Sequence, residues 1–224
     1  NALAGAAETL ARRAKDAGVD IRWVAPASYH VTLRFLGWTR PEVIGAVRDA
    51  LDAAAAGGSP GPARLKAARL GAFPSLDRAT VVWAGVEEPG PAGKGPLAEL
   101  AARIEEACVR LGFVPERRAF HPHVTLGRLR EARAVREVVL PLAEQMFGET
   151  RLDAIALFES ETKSSGSVHR ELHRIDLQRA EKAPISASER QTPPVQQGAR
   201  TAETPDTDDG WPRGQGPNFD HDAQ

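Results

Sequence analysis

The chain has 224 residues, of which 42% are hydrophobic and 26% charged, ordinary values for a globular protein of one domain or two compact lobes. Its 29 basic and 30 acidic residues leave a net charge of -1, so no global field draws it to nucleic acid and any phosphate recognition is local. Cys108 is the single cysteine, which excludes an intramolecular disulfide and a cysteine-ligated metal cluster and fits a reducing, cytoplasmic setting; no apolar run reaches membrane-spanning length.

Taken in chain order, residues 2–17 place Leu3, Ala6, Leu10 and Ala14 at helical spacing, with Arg12, Arg13 and Lys15 on the other side and Gly18 as the stop. "VDIRWVAP" reads as a short strand closed by Pro26, and "YHVTLRFLG", residues 29–37, as a second strand ended by Gly37. "RPEVIGAVRDALDAAAAG" is an amphipathic helix with Pro41 in its first turn and Gly57 behind it. "ARLKAARLGAFP" runs as a strand into a turn, and "ATVVWAGV" is the clearest buried strand. A Pro/Gly-rich connection over residues 87–96 leads to a helix carrying Leu97, Leu100, Ile104 and Leu111. "HPHVTLGRLR", residues 121–130, is a strand. "EARAVREVVLPLAEQMFG" is predicted helical and split at Pro141. "TRLDAIALFESET" and "VHRELHRIDLQ" form a hairpin about "SSG". From residue 183 to 224 the composition turns to Pro, Gln, Thr, Asp and Gly, too poor in large aliphatics to offset the entropy of ordering, and a disordered tail is expected.

The tetrapeptide His-Val-Thr-Leu occurs twice in a chain with six histidines. On a strand, residues i and i+2 share a face. His30 and Thr32 therefore project together, with Val31 and Leu33 turned to the core; His123 and Thr125 repeat this against Val124 and Leu126. The separation of the motifs is too long for a solenoid repeat and fits two similar lobes facing each other. Two imidazoles and two hydroxyls across a cleft suit hydrolysis or transfer at a phosphodiester. Histidine titrates near neutrality, so one ring can accept a proton while the other donates one. Hydroxyls and a guanidinium stabilise the charge on the equatorial oxygens. A strained 2',3'-cyclic phosphate is an especially suitable substrate. No metal-ligand constellation stands out, and neither metal nor cofactor is expected.

These motifs resemble those of the two-histidine (2H) phosphoesterase superfamily. Within it the chain looks like the bacterial RNA 2',3'-cyclic phosphodiesterases, also called 2'-5' RNA ligases. The resemblance covers about residues 1–180 and rests on "DIRWVAPASYHVTLRFLG", "LGAFPSLDRATVVWAGV", "HPHVTLGRLR" and "ALFESETKSSGSVHREL", in the family's order. It implies an α+β fold of two pseudo-symmetric lobes, each an antiparallel sheet with helices outside, around a central cleft. It implies that His30 protonates the leaving ribose oxygen and His123 activates water, giving a 2'-phosphate, with the roles exchanged in the ligating direction. Thr32 and Thr125 match the motif hydroxyls, Arg128 the family's phosphate-binding arginine, and Phe35 an aromatic that contacts the base in some members. Family members usually begin with a strand before the first helix, and that strand is missing from this sequence. Arg128 and Phe35 each lie five residues after their histidine, an offset that points them away from it on a regular strand. A bulge at Gly127 would re-aim Arg128; Gly37 lies too far along to do the same for Phe35.

The remaining candidates take plainer readings. His121 is expected in a loop or packing role, His169 and His173 at the surface of the last hairpin, and His221 in the tail. Trp23 and Trp83 are expected in the core, and Trp38 in core or surface packing, with base stacking at the cleft rim as the alternative. Cys108 reads as a small buried residue. The arginines of residues 116–118 and 127–130 form the best local basic cluster. A monomeric enzyme acting on RNA or nucleotides is expected; the alternative is a non-catalytic RNA- or nucleotide-binding module on the same fold.

Overall fold

The computed structural model describes residues 2–57, 63–91, 94–163 and 166–177, all within the unit that ends at Pro184. The expected tail of residues 183–224, with His221, and the tip of the last hairpin lie outside the described residues.

Helix α1 (Ala2–Asp16) buries Leu3, Ala6, Ala7, Leu10 and Ala14, the stripe its spacing predicts. It ends where Gly18 turns left-handed at φ 65, so that Gly18 N–H and Val19 N–H reach the carbonyls of Lys15 and Ala14. Helix α2 (Ile44–Ala56) follows a 3₁₀ turn begun by Pro41 and packs on α3 (Pro96–Arg110). Glu88 caps α3, accepting from Leu97 N–H at 2.6 Å and Ala98 N–H at 3.3 Å.

A five-stranded antiparallel sheet has the order β1 (Arg22–Trp23), β4 (His123–Arg133), β3 (Ala79–Glu87), β2 (Arg64–Phe73), β5 (Met146–Arg151). A second antiparallel pair joins β6 (Ala154–Lys163) and β7 (Gly166–Asp176). The class is α+β, with sheets of unequal size. One face of the larger sheet is core: Val82, Ala84 and Leu126 are fully buried and Val124 nearly so, in one cluster with the helical stripes and with Ile155 and Leu157 of β6.

Three expectations are corrected. The helix expected over residues 131–148 is absent: β4 runs on to Arg133, a single turn α4 (Arg136–Val139) and a 3₁₀ turn at Leu140–Leu142 follow, and β5 pairs with β2. Pro141 limits the helix as anticipated, and the free edge of β2 claims residues 146–151 for the ladder. Residues 29–37 do not form a ladder either; after a 3₁₀ turn at Pro26–Ser28, Val31 makes one isolated antiparallel bridge to Val124. β1 already occupies that edge of β4 at residues 127 and 128, and the turn carries the chain outward before it returns. Trp83 lies on the face opposite the core, because its neighbours Val82 and Ala84 take the buried positions. Trp23, by contrast, packs against the core as expected.

Candidate active site

β4 brings the two motifs together. Its one edge pairs with β3, and its other edge meets first β1 and then Val31. Residues directly opposite in an antiparallel pair share a face. Val31 and Val124 thus both face the core, and the flanking residues His30, Thr32, His123 and Thr125 all fall on the other face. His30 is the diagonal neighbour of His123, a separation of about 7–8 Å at the backbone in a regular pair.

Each motif ring is held in the same way. His30 Nδ1–H donates to the Ser28 carbonyl at 2.8 Å, and His123 Nδ1–H donates to the His121 carbonyl at 2.7 Å. A carbonyl only accepts, so Nδ1 must carry the proton in both rings and Nε2 is left as the exchanging atom. Sequence reasoning did not see this device; in each motif the accepting carbonyl stands two residues before the histidine. His121 accordingly contributes its carbonyl, and its own ring is exposed.

The rings differ in their neighbours. Phe73 stands edge-on to His123 at 5.0 Å between centroids, with Trp83 at 6.2 Å. Trp83 lies flat across Gly71, where a Cβ would fall 2.2 Å from the indole. His30 is exposed, and its edge-on neighbour is His169 at 5.8 Å. His169 shares a 2.8 Å hydrogen bond between its Nδ1 and Ser160 Oγ. His169 is at the surface as expected, and the hairpin in addition brings it to the first motif. Its partner in sequence, His173, instead donates from Nε2 to Asp52 of α2 at 2.8 Å.

Arg128 joins the same face through a bulge. Thr125 pairs with Trp83, but Gly127 pairs with Val82 and Arg128 with Val81. Leu126 is the extra residue, and the phase of β4 flips: Leu126 and Gly127 are both buried, and Arg128 is exposed. Arg128 is opposite Val81, two residues from Trp83, and so shares the face of Thr125 and His123. The glycine is required there, because a Cβ on Gly127 would meet Ile21 Cγ2 at 2.5 Å and Trp23 Cε3 at 3.2 Å.

With a single bridge to β4, the first motif is held by its side chains. Tyr29, Val31, Leu33 and Leu36 pack against the core. Burial first, and then the Glu8 carboxylate, push the Tyr29 phenol up. Arg34 Nε sits 2.9 Å from Glu105 of α3, a charge contact off the hydrogen-bond axis, and Arg34 also donates to the Val114 carbonyl. Glu105 in turn accepts from Glu116 N–H at 2.8 Å. Nothing in the sequence pattern singled out Arg34. Further along, Phe35 and Trp38 are 71% and 86% exposed, two open aromatic faces. Arg117, Arg118 and Arg130 are exposed as well. Cys108 is buried as expected, and burial pushes its thiol up.

Among the described residues no cluster of three or more His, Cys, Asp or Glu could hold a metal ion, and no helix is long and apolar enough to cross a membrane.

Comparison with known proteins bears on this arrangement. A family model described as LigT-like phosphoesterase matches residues 1–83 and 88–169. A protein of Aeropyrum pernix named RNA 2',3'-cyclic phosphodiesterase is 32% identical over 161 residues, 70% of this chain and 87% of that one. Its namesake in Aquifex aeolicus is 30% identical over 152 residues, 66% of this chain and 77% of that one. The crystal structure of a Thermus thermophilus protein superposes with a TM-score of 0.62 at 25% identity, over 78% of this chain and 91% of its own.

Proposed function

This chain belongs to the LigT-like phosphoesterase family, and we propose from that premise that it hydrolyses 2',3'-cyclic phosphodiesters on RNA ends or nucleotides to 2'-phosphates, with the two His-x-Thr motifs as its working groups. The observation that supports this function is the Val31–Val124 bridge, from which strand alternation puts both imidazoles and both hydroxyls on one face.

His30 acts as the acid and His123 as the base, each through Nε2. His123 takes a proton from water as the water oxygen bonds to phosphorus. The bond from phosphorus to O3' breaks, and His30 delivers its proton to O3'. Charge on the equatorial oxygens is met by the Thr32 and Thr125 hydroxyls and by the Arg128 guanidinium. The Nδ1–carbonyl bonds keep each ring in the tautomer the transfer needs. Ligation is the same path with a 5'-hydroxyl in place of water, and its reversal, in which the two rings exchange roles, cleaves the 2'-5' bond and re-forms the cyclic phosphate. Phe35 offers its exposed face to the base of the terminal nucleotide. Residues 1–180 act as one domain, without metal or cofactor, in a cytoplasmic monomer; the single, buried cysteine fits a reducing setting.

Incubation with a 2',3'-cyclic mononucleotide in the presence of a chelator tests this directly. Wild type is expected to turn over, and His30→Ala and His123→Ala each to lose about 10²–10⁴-fold in kcat. Absence of turnover in the wild type would instead identify a binding module on this fold. A comparison of rates on the cyclic phosphate and on a 2'-5' dinucleotide separates hydrolysis from cleavage of the ligated bond.

A further inference from the structure

β4 divides the face that carries the motifs into two sides. Val31, flanked by His30 and Thr32, meets one edge of β4, and β3 and then β2 follow on the other. On that second side, beyond His123 as seen from His30, lie Trp83 of β3 and Phe73 of β2, both half-buried. Their ring centroids are 5.1 Å apart, and those of Phe73 and Trp83 lie 5.0 and 6.2 Å from that of His123. The sheet is cleared for the indole. Trp83 is opposite Gly71, and its ring fills the place of the missing side chain. Gly85, the next residue of β3 on this face and the one opposite His123, would carry a Cβ 3.6 Å from the same ring. The indole Nε1 is buried and has no hydrogen-bond partner, although a buried indole N–H usually finds one. The ring is thus set for its flat face rather than for its polar edge, and an indole laid on the main chain presents its opposite face outward.

In-line displacement at phosphorus puts the attacking and leaving oxygens on opposite sides. In the function proposed above, on which this inference rests, His30 serves the leaving O3' and His123 the nucleophile. Trp83 and Phe73 therefore stand on the nucleophile's side, whereas Phe35, which takes the base of the cyclic nucleotide, belongs to the first motif. Water needs no aromatic surface, but a nucleoside does, since every base has a face that stacks on one. We propose that Trp83, backed by Phe73, is a specificity-determining residue that stacks the base of a second nucleoside, one bearing a free 5'-hydroxyl. With that hydroxyl at His123, its oxygen bonds to phosphorus and its proton passes to His123 Nε2. The bond from phosphorus to O3' breaks, O3' takes the proton of His30 Nε2, and a 2'-5' phosphodiester with a free 3'-hydroxyl results. Run backwards, the same platform holds the departing 5'-linked nucleoside. Occupancy of Trp83 thus sets the split between hydrolysis and 2'-5' exchange.

Cleavage of a 2'-5' dinucleotide, set against hydrolysis of a 2',3'-cyclic mononucleotide in Trp83→Leu and Trp83→Phe, tests this. The quantity read is the ratio of the two kcat/KM values, which cancels any shared disturbance of His123. Trp83→Leu is expected to lower the ratio about tenfold, the worth of one stacked base. Trp83→Phe, which keeps an aromatic face, is expected to retain most of it. A 2'-5' dinucleotide whose 5'-linked unit is abasic supplies a second arm. The wild type is expected to cleave it about tenfold less well than the intact dinucleotide, and Trp83→Leu to show no such discrimination. The wild-type part of that arm needs no variant, and it decides the matter should Trp83→Leu not fold. Equal losses on both substrates in Trp83→Leu would reduce Trp83 to a support for His123, and a wild type indifferent to the abasic unit would leave the platform without its base. Either result overturns the proposal while the hydrolytic function stands, as does a wild type that hydrolyses the cyclic phosphate and leaves the 2'-5' bond intact. A wild type inert on both substrates overturns the function, and the second nucleoside's site with it.

Discussion

His30 and His123 stand in near-equivalent main-chain settings and in different side-chain ones. Both rings are clamped through Nδ1 to a carbonyl two residues back, and each has a second ring edge-on to it. For His123 that ring is Phe73, and for His30 it is His169. Phe73 supplies the same edge-on geometry with no titratable group, and His169 is accordingly expected to act as a positioning residue through His30. His169→Ala is expected to lower kcat about tenfold with KM nearly unchanged, since a small misplacement of an attacking or donating group is costly. His169→Phe is expected to restore most of it; a phenylalanine variant as slow as the alanine one would show that the imidazole itself is needed. The motif histidines and threonines were legible because a two-residue repeat on a strand reports which side chains share a face. His169 was not, because its contact with His30 joins segments 139 positions apart in the sequence, and periodicity within a hairpin carries no information about what the hairpin lies against.

Among the elements, the helices were the easiest to read and β4 the most instructive. The apolar stripes of α1, α2 and α3 follow helical spacing and are buried, except that Leu111, expected in the stripe of α3, lies just past its end and is exposed. The offset of Arg128 from His123 pointed to a bulge at Gly127, and the ladder has one, with Leu126 as the extra residue. The helix expected over residues 131–148 failed because its charged and apolar residues fit either period locally, and the open edge of β2 decided between them. Gly127→Ala tests the bulge. The added methyl would press on Ile21 and Trp23, which is expected to cost about 1–3 kcal/mol of stability, measured by denaturant unfolding. It should also lower kcat/KM by displacing Arg128. A variant of wild-type stability and activity would mean that β1 moves aside without effect on the arginine.

At the scale of the whole molecule, the site depends on contacts that cross the fold. The first motif is not woven into the sheet, and Arg34 with Glu105 fastens it to α3 and to the loop at residues 113–116. Arg34 is only 9% exposed at its side chain, so removal of its counter-charge leaves a guanidinium poorly solvated. Glu105→Ala is expected to cost about 1–3 kcal/mol and to lower kcat in excess of any fall in the folded fraction; thermal unfolding measured alongside the rate at a temperature well below the transition distinguishes the two effects. Equal losses in folded fraction and rate would reduce the contact to a general stabilising one. The anchor escaped sequence reading because an arginine within a strand-like segment is ordinarily taken as solvated.

The bridge from Val31 to Val124 also bears on when the protein becomes active. Close contact between segments so distant along the chain is expected to form late, because the entropy of loop closure between them must first be overcome. During synthesis, a polypeptide that has not yet emerged past its second motif holds a lone imidazole and no reacting pair. Completion of the fold is thus itself the step expected to arm the paired site.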